Sequence, residues 1–185
     1  MLFRSIKSKT LAGLTYYVEG EPVSIVGGKY VSDYTVAYSG VQKKPSITVI
    51  DSGSTLTGFT DYTTSYGTNI NAGSGVITVT GQGGYAGSEN IKIYFTIEPK
   101  DIASEDINAV LTGSNYTSGD YRLPYLSVTD TGAAYGKQSL TLNTDYTVSG
   151  GDDCKTSGTG KIATVSGTGN YTGERSVEFT IDRKS

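Results

Sequence analysis

Four segments of this chain alternate apolar and polar positions with a period of two: Ser46-Ile47-Thr48-Val49-Ile50-Asp51, Gly75-Val76-Ile77-Thr78-Val79-Thr80, Leu126-Ser127-Val128-Thr129-Asp130 and, less regularly, Lys161-Ile162-Ala163-Thr164-Val165-Ser166. Successive side chains on a strand point to opposite faces, so the alternation predicts strands with one face on a core and the other in water. No window sustains a helical period. The nearest candidate is residues 101–110, where Ser104-Glu105-Asp106 closes at most a single turn. Near the start, Leu14-Thr15-Tyr16-Tyr17-Val18 and Val23-Ser24-Ile25-Val26 flank Glu19-Gly20-Glu21-Pro22 and read as strand, turn, strand. Two strands are marginal alone, so this hairpin or arm, residues 1–30, is expected to pack on the neighbouring strands of the chain or on another subunit.

The apolar pattern is punctuated by landmarks that occur twice. Gly81-Gln82-Gly83-Gly84-Tyr85-Ala86-Gly87 and Gly167-Thr168-Gly169-Asn170-Tyr171-Thr172-Gly173 share the form Gly-x-Gly-x-Tyr-x-Gly. Each runs on to a terminal strand, Phe95-Thr96-Ile97 or Phe179-Thr180-Ile181, and each is preceded by Asp-Tyr-Thr, at Asp61-Tyr62-Thr63 and Asp145-Tyr146-Thr147. Further back, Tyr38-Ser39-Gly40 before Pro45 corresponds loosely to Tyr116-Thr117-Ser118-Gly119 before Pro124. The order is the same in both copies and the spacings differ, as loop insertions make them. The extra residues of the second copy are expected within residues 131–144, around Gly132-Ala133-Ala134-Tyr135-Gly136.

Composition agrees with an all-β chain. Among 185 residues there are 25 Gly and 15 Tyr, with abundant Thr and Ser and neither Trp nor His. Tyr, Thr, Val and Ile suit a pleated surface, and Gly suits the turns between strands. The net charge of −3 and the scattered basic residues give no cationic footprint, which argues against nucleic acid as a partner. A single cysteine, Cys154, excludes an intramolecular disulfide and a cysteine-based zinc site. No apolar run approaches the roughly 20 residues of a membrane helix, and the opening residues are too polar for a secretory signal.

The full series is Tyr-x-Gly, Pro, alternating strand, Asp-Tyr, hairpin, alternating strand, Gly-x-Gly-x-Tyr-x-Gly and Phe-Thr-Ile. It resembles the immunoglobulin-like repeats of gram-positive, especially clostridial, surface proteins. The junction Ile97-Glu98-Pro99-Lys100-Asp101-Ile102 is similar to the connector between such repeats, as is Asn69-Ile70-Asn71-Ala72-Gly73 to their hairpin after Asp-Tyr. The second copy departs from that hairpin, with Gly150-Gly151-Asp152-Asp153-Cys154-Lys155 in its place. The resemblance implies two tandem immunoglobulin-like β-sandwiches, residues 31–98 and 107–185, joined by a connector at 99–106 and preceded by the arm at 1–30. It also implies a structural or adhesive role, since such repeats form stalks of adhesins and wall enzymes and related modules occur in phage head and tail proteins.

Candidate chemistry is sparse. Without histidine, Ser-His-Asp catalysis and His-ligated metals are excluded. Asp152-Asp153 is the best carboxylate pair and reads as a turn. Asp51 with Ser52, Asp130 with Thr131, and Asp152 with Asp153 offer loop oxygens to calcium, yet none has the Asp-x-Asp-x-Asp-Gly pattern, so no cofactor or metal is expected. The Gly-x-Gly-x-Tyr-x-Gly segments lead into strands rather than a helix, which makes Gly83, Tyr85 and Gly87, and Gly169, Tyr171 and Gly173, corner residues and not a dinucleotide site. Cys154 beside Lys155 is a candidate reactive thiol. An internal isopeptide bond would need a buried lysine beside a buried acid; Lys92 and Lys161 lie in strand-like segments, with no acid assignable to either.

Two function classes remain. One is a non-enzymatic structural or display module on a phage particle or bacterial cell surface, attached to other subunits through residues 1–30. The initial Met1, with no leader after it, favours the virion. The other is an adhesin-type module that recognises a glycan or host surface protein. Aromatic rings outside the repeated landmarks would make its contacts: Tyr16, Tyr17, Tyr121, Tyr125 and Tyr135.

Overall fold

The computed structural model describes residues 8–112, 125–150 and 158–181. The chain is all-β, and it divides into two compact units. Unit 1 comprises Met1–Val36 and Gln42–Ile97, and unit 2 comprises Ala37–Val41 and Glu98–Ser185. Among the described residues no helix is long and apolar enough to cross a membrane.

Unit 1 is a large curled sheet of eight strands. In chain order these are β1 (Thr15–Val18), β2 (Glu21–Val26), β3 (Lys29–Ala37), β4 (Ile47–Asp51), β5 (Ser54–Thr55), β6 (Tyr62–Tyr66), β7 (Gly73–Gly81) and β8 (Ile91–Glu98). Their order in the sheet is β5-β4-β1-β2-β3-β8-β7-β6. The curl has a local cause at β2. That strand pairs with β1 only through Tyr17↔Pro22 and Val18↔Glu21, and from Val23 onward it pairs with β3. Pro22 offers no N–H to a ladder, which suits the point where the strand changes partner. At the far end, the Tyr62 hydroxyl donates to the Ile47 carbonyl at 3.1 Å and the Tyr66 hydroxyl donates to the Pro45 carbonyl at 3.0 Å. These bonds tie β6, last in the order, to the chain entering β4.

The core of unit 1 follows the alternation. Ile77 and Val79 of β7 and Ile91, Ile93, Phe95 and Ile97 of β8 are buried, and Lys92 and Thr96 between them are exposed. Each such buried side chain contributes about 1.5–3 kcal/mol of transfer free energy. Gly75 lies opposite Phe95, and a β-carbon there would run into the Phe95 ring. The hairpin from β6 to β7 is held by Asn69, which is buried with φ of 43°. Its Nδ2 donates to the carbonyls of Val76 (2.9 Å) and Lys43 (3.2 Å), and its Oδ1 accepts from the Val76 N–H at 2.9 Å.

Unit 2 contains β9 (Lys100–Asp101), β10 (Ile107–Thr112), β11 (Tyr125–Asp130), β12 (Tyr146–Ser149), β13 (Gly158–Gly167), β14 (Tyr171–Thr172) and β15 (Glu174–Ile181). They form the antiparallel pair β10-β11, the sheet β12-β13-β15 and a short parallel pair of β9 with β14. Ala163, Phe179 and Ile181 form a buried cluster against which Leu111 and Val148 pack. Between Asp130 and Gln138 the chain makes a loop in which Ala133 is buried.

Three boundaries differ from those read in the sequence. Residues 15–26, read as a hairpin or arm separate from the first copy, are the hairpin β1-β2 and lie inside the eight-stranded sheet, because β1 pairs with β4 as well as with β2. Residues 99–106, assigned to a connector, contribute β9 and the buried Ile102 to unit 2. Tyr38, read as the first landmark of copy one, belongs to unit 2, where its ring meets Tyr171 edge-on at 5.5 Å. The single turn expected near Ser104 is present, closed by bonds from Ser104 N–H to Asp101 and from Ile107 N–H to Ser104.

Candidate functional site

The Gly-x-Gly-x-Tyr-x-Gly segments build corners. In unit 1, Gly83 begins a single 3-10 turn over Gly83–Tyr85 with φ of 51°, where a β-carbon would lie 2.8 Å from the Thr60 carbonyl oxygen. Gly169 has φ of 64° and the same relation to the Thr144 oxygen, at 3.1 Å. Glycine is required at both positions by the positive φ and the close backbone approach. The turn delivers the buried Tyr85 ring so that its hydroxyl donates to Oδ2 of Asp51, the last residue of β4. In unit 2 the Tyr171 hydroxyl donates to Oδ2 of Asp130, the last residue of β11, at 3.1 Å.

A lysine completes each arrangement. The Lys9 N–H donates to the Gly84 carbonyl at 2.9 Å, its ammonium contacts Asp51 Oδ2 at 2.9 Å, and it lies 5.3 Å from the centroid of the Tyr85 ring. Likewise the Lys100 N–H donates to the Asn170 carbonyl at 3.0 Å, and its ammonium contacts Asp130 Oδ1 at 2.6 Å. Asp106 adds a second carboxylate to Lys100 at 3.1 Å, and the Gly132 N–H donates to Asp130 Oδ1 at 2.9 Å. Two residues beyond each lysine stands a fully buried aliphatic side chain, Leu11 or Ile102.

The two clasps differ in exposure. The Asp51 side chain is 19% exposed, whereas that of Asp130 is 0% exposed. Hydrogen bonds from Tyr85, then Lys9 and Ser52, hold the Asp51 carboxyl down to about 2. The hydrogen bond to Asp51 raises Lys9. Burial pulls Lys100 down, but its bonds to Asp130 and Asp106 together outweigh that and raise it. Burial, followed by the negative charge of Asp130, pushes the Tyr171 phenol up. Both phenols are therefore neutral donors, both lysines are charged, and the carboxylates are spoken for. Asp51 and Asp130, which the sequence offers as loop oxygens, are each bonded to a tyrosine and a lysine.

The Asp-Tyr landmarks also repeat bond for bond. Asp61 Oδ2 accepts from the Thr57 N–H at 2.8 Å, and Asp145 Oδ2 accepts from the Thr141 N–H at 2.9 Å. The Asp61 carbonyl accepts from Gln82, and that of Asp145 from Thr168, at 2.7 and 2.9 Å. The Tyr146 hydroxyl reaches the Leu126 carbonyl at 3.5 Å, as Tyr62 reaches Ile47. The glycines Gly87 and Gly173 that close the two corners have φ of 80° and 74°.

Of the candidate contact tyrosines among the described residues, Tyr16 and Tyr17 belong to unit 1 and Tyr125 and Tyr135 to unit 2. Tyr16 is 1% exposed, its hydroxyl donates to the Leu11 carbonyl at 2.7 Å, and its ring packs edge-on against Tyr30 at 5.5 Å. It is a core residue, contrary to the surface role read from the sequence, because β1 is an interior strand. Tyr17 is half-buried on the other face of β1. Tyr135 is 98% exposed in the loop of unit 2 between Asp130 and Gln138. Tyr125 begins β11, where its backbone pairs with Thr112. Tyr121 and Cys154 lie outside the described residues, as does the Asp152-Asp153 pair.

Sequence reasoning missed both lysines. Lys9 was placed in an arm and Lys100 in a connector. The available signal was that Asp51 and Asp130 each end an alternating strand ahead of the Asp-Tyr landmark. Beside the exposed clasp lies an open groove of about 510 Å³, lined by Lys9, Asp51, Tyr85, Leu14 and Leu56 among others. Fold and site together define an all-β protein with a tyrosine-aspartate-lysine clasp in each of its two units. Comparison with protein-family models, curated proteins and solved structures finds no match to this chain.

Proposed function

We propose that this chain is a non-enzymatic structural and display module, built of two copies of one immunoglobulin-like β-sandwich and presented on the exterior of a phage particle or bacterial cell. The observation that carries this reading is the recurrence of the clasp. The same three residue types, joined by the same backbone bond from the lysine, stand at matching landmarks in both units. Their polar groups are bonded to one another rather than offered to a substrate, which suits a rigid spacer better than a catalyst. In unit 1 the partner change of β2 at Pro22 would be the edge where the chain crosses from one layer of the sandwich to the other.

Attachment to other subunits through residues 1–30 would use the outward sides of β1 and β2, since both strands belong to the unit 1 sheet. Deletion of residues 1–30 is therefore expected to unfold unit 1 and not merely to release the protein. Immunogold labelling of intact particles or cells with antibody to the folded chain tests the display reading. Gold on the outer surface supports it, and label that enters only after disruption overturns it.

A second reading, adhesion to a glycan or host surface protein, is favoured by one observation. Tyr135 presents nearly its whole ring to solvent in a loop that is longer than its counterpart after Asp51. Tyr135→Ala would abolish binding on a glycan array or in a host-protein pull-down if this loop is the contact, and would leave it unaltered otherwise.

A further inference from the structure

Phe59 is held in the left-handed region, φ of 65°, with 91% of its surface exposed. A bulky residue there is an outlier, because its β-carbon crowds the backbone. The fold does not demand it. At the matching place in unit 2 stands Asn143, with φ of 64°, and asparagine tolerates that region. The local bonding is otherwise the same: Phe59 N–H donates to the Tyr62 carbonyl and Asn143 N–H to the Tyr146 carbonyl, each at 2.7 Å. Phe59 thus adds two unfavourable features, backbone strain and an exposed ring, that the turn forms without. Strain of this kind persists where it serves function.

Beside Phe59 lies a groove of about 200 Å³, in the gap that Tyr62 and Tyr66 span toward Ile47 and Pro45. Phe59 itself forms part of its wall, together with Ile47, Tyr62, Thr63, Thr64 and Tyr66. A projecting aromatic ring and a receptive groove on one face are what a two-fold interface needs, because each copy must supply both halves of the contact. Charge points the same way. None of the groove's lining residues is Asp, Glu, Lys or Arg, so a second copy's ring enters the groove itself without meeting a charge. The strand β6 ends the sheet order, so its outer edge has no strand beside it in that order.

We propose that this face of unit 1 is a self-association surface, on which Phe59 of one copy seats in the Ile47-Tyr62-Tyr66 groove of a second copy and the reverse. Two reciprocal aromatic rings bury roughly 300–500 Å². That is a fraction of the 1,200–2,000 Å² or so of a stable interface. The dimer is accordingly weak in free solution and is favoured where copies are held close together, as on a surface array. The comparison with Asn143 rests on reading the two units as copies of one fold.

Sedimentation equilibrium of the full chain, under reducing conditions and from micromolar to millimolar concentration, tests the proposal. The wild type is expected to pass from monomer to dimer mass across that range. Phe59→Asn is expected to stay monomeric throughout with an unfolding midpoint no lower than wild type. Thr63→Lys, which sets like charges across the two-fold axis without touching the Phe59 turn, is expected to weaken the dimer at least tenfold. A wild type that remains monomeric at millimolar concentration overturns the proposal, as does dimerisation of folded Phe59→Asn or Thr63→Lys at wild-type strength. Surface display would stand in either event, since immunogold labelling reads it separately.

Discussion

The Tyr171 hydroxyl donates to Oδ2 of Asp130, a carboxylate with no exposed side-chain surface and 41 residues away in sequence. Burial of a charge is tolerated only with full hydrogen bonding and an opposite charge nearby. Asp130 has both, from Tyr171, Gly132 and Lys100.

Removing one donor should therefore be costly in unit 2 and mild in unit 1. Tyr171→Phe leaves a buried acceptor short of a partner and is expected to destabilise by about 1–3 kcal/mol. Tyr85→Phe should cost less, because water can reach the partly exposed Asp51 and replace the lost bond. Urea denaturation of the two variants checks the order, and equal losses would contradict it.

Lys100 is the counter-ion of a buried charge, and Lys9 is not. Lys100→Met strands Asp130 and is expected to cost about 3–5 kcal/mol. Combining it with Asp130→Asn should recover part of that loss, because no uncompensated charge is then buried. Lys9→Met should shift the unfolding midpoint much less. A thermal or urea melt of the three variants decides the matter.

Asp51 gives unit 1 an acid sensitivity. Its carboxyl is held down to about 2, below its ordinary unfolded value of 3.8. A depressed acid contributes stability that is fully present above the unfolded value and is lost as pH falls toward the folded one. Unit 1 is expected to lose stability between about pH 4 and pH 2 through this group, and Asp51→Asn to flatten that part of the profile. Stability measured against pH for wild type and variant provides the comparison.

Asn69 is a hairpin support. Its amide bonds part-buried backbone groups of Lys43 and Val76, of which the Val76 carbonyl also accepts from Gly67, and its own φ of 43° suits asparagine. Asn69→Ala is expected to cost about 1–3 kcal/mol for each group left unsatisfied. Amide hydrogen exchange should show the Val76 N–H losing protection first.

Much of the fold is legible in the sequence. Period-two alternation marked the buried faces of β4, β7, β11 and β13, because that pattern depends only on how strand side chains point. The paired Asp-Tyr and Gly-x-Gly-x-Tyr-x-Gly landmarks marked the corners, because positive φ and close backbone approach select glycine locally. Less of the site was legible. Alternation tells which face a residue takes and not which strand lies beside it, so Tyr16 and Tyr17 in a short segment with an uncertain neighbour could not be sorted into core and surface. Nor does spacing reveal partners brought together by sheet closure. Lys9, Asp51 and Tyr85 come from three distant segments, as do Lys100, Asp130 and Tyr171. The sequence by itself determined the alternating strands, the hairpin at residues 14–26 and the twice-occurring glycine corners. Only the tertiary structure decided that β2 changes partner at Pro22, that residues 15–26 and 100–101 pair with the strands of the two units, and that each corner is locked by a lysine, because these depend on long-range pairing that no local pattern encodes.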